Sequence, residues 1–346
     1  MSGEPRHPGA LVLSLDFELH WGVRDHCPPG SPYERNLLAA REVIPKILEL
    51  FEDYDIAATW ATVGFLFARN RQELERFRPA VLPRYRNPRL DPYLQPVGED
   101  EETDPLHYAP SLIARIAATP RQEIATHTYC HFFCHDAISG AESFRADLRS
   151  AAAIAAERGF VLRSIVFPRN QRDPAYDPWL KEAGIVAYRG NPHTRMWSFV
   201  GTAEGASPGR RAARLADTYL PVSGDGSVGW DELVRPSGLV DVRASFILRP
   251  FHPRRALLEP LRRARLRAAV RSAARRGRIL HLWWHPHNFG AHPNESLETL
   301  RALLEEVCEC RTRYGMRSMT MRDVAERVLQ PGLADDPGGY AAALRG

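Results

Sequence analysis

Four groups of polar residues in this chain have the types and spacing to do chemistry. Asp16 and Glu18 flank Phe17 at the end of an apolar run. Two apart on an extended strand, their side chains share one side, so the pair can supply two metal ligands or one ligand and one base. His127-Thr-Tyr-Cys-His131 holds two imidazoles four residues apart. On a helical turn that spacing presents both to a single zinc-like ion. His135 repeats the interval and is either a further ligand or a residue outside the set. Arg169, in Phe-Pro-Arg-Asn-Gln, can pair with a catalytic carboxylate and keep it ionised and oriented. In Trp283-Trp284-His285-Pro286-His287-Asn288, a histidine beside aromatics suits a general acid near neutral pH. Each group alone has an ordinary explanation: solvated acids, a chance histidine pair, a loop arginine, core tryptophans. Core packing accounts for the tryptophans but not for two histidines and an asparagine together.

Short aliphatic runs alternate with helical patterns, which predicts strand-helix units on a mainly parallel sheet. Strands are expected at 10–15, 56–63, 123–126, 162–167, 184–188, 238–248 and 278–284, with a short one at 318–321. Helices are expected at 36–54, 111–118, 141–158, 175–183 and 295–313, with an arginine-rich one before residue 278. Seven or eight such units favour a barrel over an open sheet, and each polar group directly follows a strand. That is where barrel chemistry sits. Residues 78–111 interrupt the rhythm with seven prolines and the acidic run 99–104, and read as an inserted loop, either a plain excursion or a substrate lid. A glycine-rich irregular stretch at 201–238 leads on to the basic helix, so 201–277 reads as a second insertion, and 331–346 as a loose tail.

Taken in order, Ser14-Leu-Asp16-Phe-Glu18, Glu123-Ile-Ala-Thr-His127-Thr-Tyr-Cys-His131, Phe167-Pro-Arg169 and Trp284-His285 make the chain resemble the polysaccharide deacetylase family, carbohydrate esterase family 4. Thr59-Trp-Ala-Thr-Val-Gly64 also looks like that family's second strand. The resemblance covers most of 10–330 and implies a single-domain, distorted (β/α)7-type barrel over 9–330. It implies a hydrolase of carbon-nitrogen bonds other than peptide bonds, removing acetyl or formyl from the nitrogen of an amino sugar or glycoconjugate. It further implies Glu18, His127 and His131 as ligands of a divalent metal, zinc first, with cobalt, nickel or manganese as alternatives. Asp16 is then the base, Arg169 its orienting partner and His285 the acid, with His287 second for that role and Asp16 and Glu18 exchangeable. The family's fourth motif, an Asp followed closely by Trp, has no counterpart; Tyr188-Arg189-Gly190 stands in its region, which implies a substrate handled differently from a polymer. Competing readings are a hydrolase of non-sugar linear amides and a catalytically silent carbohydrate-binding protein.

Composition narrows the partners. Apolar residues at 44% and charged residues at 25% of 346 are ordinary for a globular chain. The formal charge is +4, and all the basic side chains except Lys46 and Lys181 are arginine. Such a bias is weak evidence for nucleic acid, and no binding-module signature accompanies it, so no nucleic-acid partner is expected. Five scattered cysteines fit a reducing compartment, and the apolar run before Asp16 is too short for a signal-peptide core, so a cytoplasmic location is expected. Residues 249–278 hold eleven arginines against one acid, Glu259. That asymmetry suggests an outer helix that is merely solvated, or peripheral contact with an anionic inner membrane face or a phosphate-linked sugar.

Overall fold

The computed structural model describes residues 7–28, 30–192 and 208–330. The chain runs β1 (Ala10–Phe17), α1 (Glu34–Asp53), β2 (Ala58–Thr62), α2 (Arg71–Arg76), α3 (Pro110–Ala118), β3 (Gln122–Thr126), α4 (Ala141–Glu157), β4 (Ser164–Ile165), α5 (Asp177–Glu182) and β5 (Ala187–Tyr188). It continues through α6 (Pro208–Asp217), β6 (Val240–Asp241), β7 (Phe246–Ile247), α7 (Glu259–Arg276), β8 (Ile279–Trp284), α8 (Pro293–Tyr314), β9 (Arg317–Met319) and α9 (Met321–Leu329). Every strand pairing is parallel, in the order β6-β5-β4-β3-β2-β1-β8-β7, with β9 against the start of β1.

The first and last strands of that order are halves of one segment, and this closes the barrel. Val242 and Ala244 donate backbone N–H to Tyr188 and Gly190 beside β5, whereas Ser245 and Leu248 donate to His281 and Trp283 of β8. A seven-stranded, distorted (β/α) barrel results, in one domain.

Alternation along β1 sorts its side chains by face. Leu11, Leu13, Leu15 and Phe17 pack outward into the core shared with the helices, while Ala10 and Val12 point inward. The inward cluster also contains Met321, Val324 and Ala325 of α9, which plug the lower end of the barrel. Sequence reading ran the last strand to residue 321 and left this helix out. Its start is nevertheless marked, because Thr320 and Asp323 form a reciprocal capping box at 3.0 and 2.9 Å.

The proline-rich insertion is not a free excursion. Arg41 donates to the carbonyls of Pro105 and Tyr108, and the Trp21 indole N–H donates to the carbonyl of His107 at 3.0 Å. His107 lies between Asp104, 2.8 Å from its Nδ1, and His20, 2.9 Å from its Nε2. The insertion therefore braces the turn that leaves β1, where Glu18 sits. The tail expected at 331–346 lies outside the described residues, as do residues 201–207 of the second insertion; the remainder of that insertion contains α6, β6, β7 and α7.

Candidate metal and active centre

Three side chains at the C-terminal ends of β1 and β3 converge. Glu18, His127 and His131 are buried, and one ligand atom from each lies within 4.8 Å of the other two. Glu18 Oε2 is 3.0 Å from His131 Nε2 and 3.3 Å from His127 Nε2. Room for this carboxylate depends on Gly22, where a Cβ would stand 1.9 Å from Glu18 Oε1.

The two histidines do not sit on a helical turn, contrary to expectation. Thr128 and His131 adopt left-handed backbone at φ 64° and 56°, unfavourable for a β-branched residue and kept only where the surroundings over-determine it. The surroundings here are specific. Asp147 of α4 accepts from the backbone N–H of Tyr129 at 2.8 Å and of Cys130 at 3.1 Å. Thr128 Oγ1 donates to the carbonyl of His127 and accepts from the N–H of Phe132.

This geometry fits a cation. His127 Nδ1 donates to the Val166 carbonyl at 2.8 Å, which leaves the Nε2 lone pair facing Glu18, buried and without a hydrogen-bond partner. An orphaned imidazole nitrogen beside a carboxylate and a second imidazole is the donor set of a divalent metal. Burial pushes His131 down to about 3, so its ring is neutral. Burial pushes the Glu18 carboxyl up, but His285 and the hydrogen bond from His131 outweigh it and hold the group well below the usual carboxylate range.

Asp16 lies beside this cluster and is gripped from the opposite side. Arg189, one residue past β5, donates Nη1 to Oδ1 at 2.6 Å and Nη2 to Oδ2 at 2.7 Å. Burial raises the Asp16 carboxyl, and the Arg189 guanidinium more than offsets it, so the group stays ionised. Arg189 is itself oriented from below. His281 Nδ1 donates to the Val242 carbonyl, so its Nε2 accepts from Ser14 Oγ at 2.8 Å, and Ser14 in turn accepts from Arg189 at 3.0 Å. Burial pushes His281 to about 3, which keeps that relay neutral.

Arg169 was expected at this carboxylate and is elsewhere. It pairs with Asp25 and lies 4.1 Å from the centroid of the Phe133 ring. Left-handed φ at Arg169 and Asn170, both 54°, directs the side chain to the rim instead of the barrel interior. The contact with Asp16 expected of Arg169 is made by Arg189.

His285 completes the constellation, with Nε2 3.4 Å from Glu18 Oε1 and 3.7 Å from Asp16 Oδ2. Its Nδ1 meets the amide of Asn288 at 3.4 Å, and Asn288 accepts from the Tyr33 hydroxyl at 2.8 Å. His285 is part-exposed and His287 is buried, with burial pushing the latter to about 3. Of the two histidines, His285 is the one that opens to the barrel mouth beside Asp16 and Glu18. His135 is exposed and outside the three-ligand group.

Two positions escaped the sequence reading. Arg24 is buried, donates to the carbonyls of Trp21, Leu90 and His131, and lies 3.2 Å from His131 Nδ1. Nothing in the surrounding Gly-Val-Arg-Asp marks it. Arg189 did carry a signal, a lone arginine immediately after a strand in the region of the missing motif.

No model of a known protein family matches the chain, and no curated protein does. Solved structures do. A protein named as a polysaccharide deacetylase from Mycobacterium smegmatis superposes with a TM-score of 0.57 at 16% identity, over 94% of this chain and 95% of that one. One so named from Pseudomonas aeruginosa PAO1 gives 0.53 at 12% identity, over 93% and 90%. PuuE allantoinase gives 0.53 at 13%, over 96% and 95%. Likeness at these identities establishes the fold, a polysaccharide-deacetylase-type barrel across the whole described chain.

Proposed function

We propose that this protein is a metal-dependent amide hydrolase that removes an acetyl or formyl group from the nitrogen of an amino sugar or glycoconjugate. The observation that carries the reading is the convergence, at one barrel mouth, of a buried Glu18-His127-His131 triad, an ionised Asp16 clamped by Arg189, and His285. Glu18, His127 and His131 would hold the ion, and two imidazoles with one carboxylate favour zinc. Such a cation, when bound, polarises an amide carbonyl and acidifies water.

The chain's own residues account for the proton traffic. Asp16 takes a proton from the water that attacks the carbonyl carbon, and its fixed position removes the entropy of finding that water. His285, protonated, gives a proton to the nitrogen as the carbon-nitrogen bond breaks. A carboxylic acid and a free amine leave. Arg189 keeps Asp16 charged and fixed in angle while Ser14 and His281 hold Arg189.

The substrate class is tested by offering N-acetyl and N-formyl amino-sugar conjugates and scoring released acid with and without chelator. In the same assay Asp16→Asn keeps stoichiometric metal and loses about 100- to 10,000-fold in turnover, while His127→Ala loses both. Equal metal loss in the two variants would refute the division into base and ligand. A second reading, hydrolysis of a non-sugar linear amide, draws support from the absent fourth motif. Release of acid from linear N-acetyl or N-formyl amines but from no sugar conjugate would favour it.

A further inference from the structure

The outward face of α7 and the turn leading into it are unlike the rest of the surface. Residues Leu266, Ala269, Val270, Ala273 and Ala274 are buried on the inner face, and two of the helix's arginines are consumed there. Arg262 pairs with Glu259, and Arg265 donates to the Gly224 carbonyl across the Phe246 ring. The outer face begins with leucines in solvent: Leu257 is 96% exposed, Leu258 42% and Leu261 43%. Pro260, Ala264 and Ala268 continue it, and Leu220, 52% exposed, joins across a shallow depression shared with Leu261 and Ala268.

Around these apolar groups stand guanidinium ions. Arg263, Arg271 and Arg276 have acidic neighbours in Glu298, Glu306 and Asp225. Among the described residues no carboxylate pairs with Arg254, Arg255, Arg267 or Arg275, and the only acid within the helix, Glu259, is buried against Arg262. Among the described residues the face thus combines uncompensated positive charge with exposed leucines.

We propose that this face docks on a bilayer of anionic phospholipid. A phosphate backbone alone would satisfy the arginines and leave the leucines in water. A bilayer interface takes both, apolar side chains below the headgroups and guanidinium ions among the phosphates. Among the described residues no helix is long and apolar enough to cross a membrane, so the contact is peripheral. Its placement has a consequence. α7 follows β7, so its first turn lies at the C-terminal rim of the barrel, the end where His285 opens. The turn is tied there, since Phe251 N–H donates to Ser296 Oγ at 3.1 Å and its ring meets His292 at 5.5 Å. Docking brings the rim beside the mouth close to the lipid surface.

The test is cosedimentation of the full chain with mixed phosphatidylglycerol-phosphatidylcholine vesicles and with pure phosphatidylcholine. Binding to the anionic vesicles at low salt, weakening as salt rises and absent from the neutral ones, is expected. Arg254→Gln and Arg267→Gln should each cost about fivefold in partitioning, and the pair about thirtyfold. The double variant Leu257→Ser/Leu261→Ser should weaken binding without flattening its salt dependence, and Arg86→Gln, exposed on the proline-rich insertion, should leave it unchanged. Circular dichroism confirms that each variant is folded. Failure to bind anionic vesicles at low salt, or equal binding by every variant, overturns the proposal. So does a leucine variant that changes oligomeric state in light scattering but not vesicle binding. Because no step of the assay needs substrate or metal, its failure leaves the catalytic reading untouched.

Discussion

Asp16 can act as a base only while ionised, and one neighbour decides the pH range over which that holds. Burial favours the protonated acid; the bidentate guanidinium of Arg189 favours the carboxylate and prevails. The sign of the effect follows. Removing the cation raises the Asp16 pKa, so the acidic limb of kcat/KM in Arg189→Met should move to higher pH by about 1–3 units. Arg169→Met should leave that limb in place, because Arg169 pairs with Asp25 at the rim. An Arg169 variant that shifted the profile as Arg189→Met does would contradict the assignment. The choice between these two arginines was not legible in the sequence. Both follow strands, and only the left-handed turn at Arg169 and the reach of Arg189 across the barrel distinguish them. The carboxylates and histidines were legible, since ligating side chains must be of those types and must cluster at strand ends.

The element that holds two of the proposed ligands is a strained loop, and hydrogen bonds to the neighbouring helix support it. Asp147 of α4 is buried, and burial pushes its carboxyl up to about 6 even though two backbone N–H groups donate to it. Asp147→Ala would leave both N–H groups buried without a partner, at about 1–3 kcal/mol each. Reduced thermal stability and weaker metal binding are expected together. Calorimetry and metal titration of that variant check this, and wild-type metal affinity would show that the loop holds its own shape. Histidines four apart suggested a helix because helical spacing brings such residues close together on one face. Positive φ at Thr128 and His131 achieves the same convergence another way, and local propensity does not reveal it because tertiary hydrogen bonds impose it. The capping box that starts α9 was visible in Thr320 and Asp323, whereas its role as the barrel's lower plug required the inward faces of β1 and β8 to be known.

At the scale of the whole molecule, metal and fold are expected to be linked, because the ligands come from the ends of two strands and the barrel must be formed for them to meet. Zinc at about a thousandfold excess over its dissociation constant should stabilise the protein by about 4 kcal/mol, read as a rise in Tm that chelator reverses. An unchanged Tm with zinc and with cobalt would remove the basis of the catalytic reading. The sequence by itself determined the alternation of strands and helices, hence a barrel, and the side-chain types at its mouth, because periodicity and ligand chemistry are local properties. Only the tertiary structure decided how Val240 to Leu248 closes the barrel between β5 and β8, and which arginine faces Asp16. It also decided that the proline-rich insertion braces the turn beside Glu18 through His107 and His20. Those outcomes depend on contacts between residues far apart in the chain, and neither spacing nor composition encodes the angle at which such residues meet.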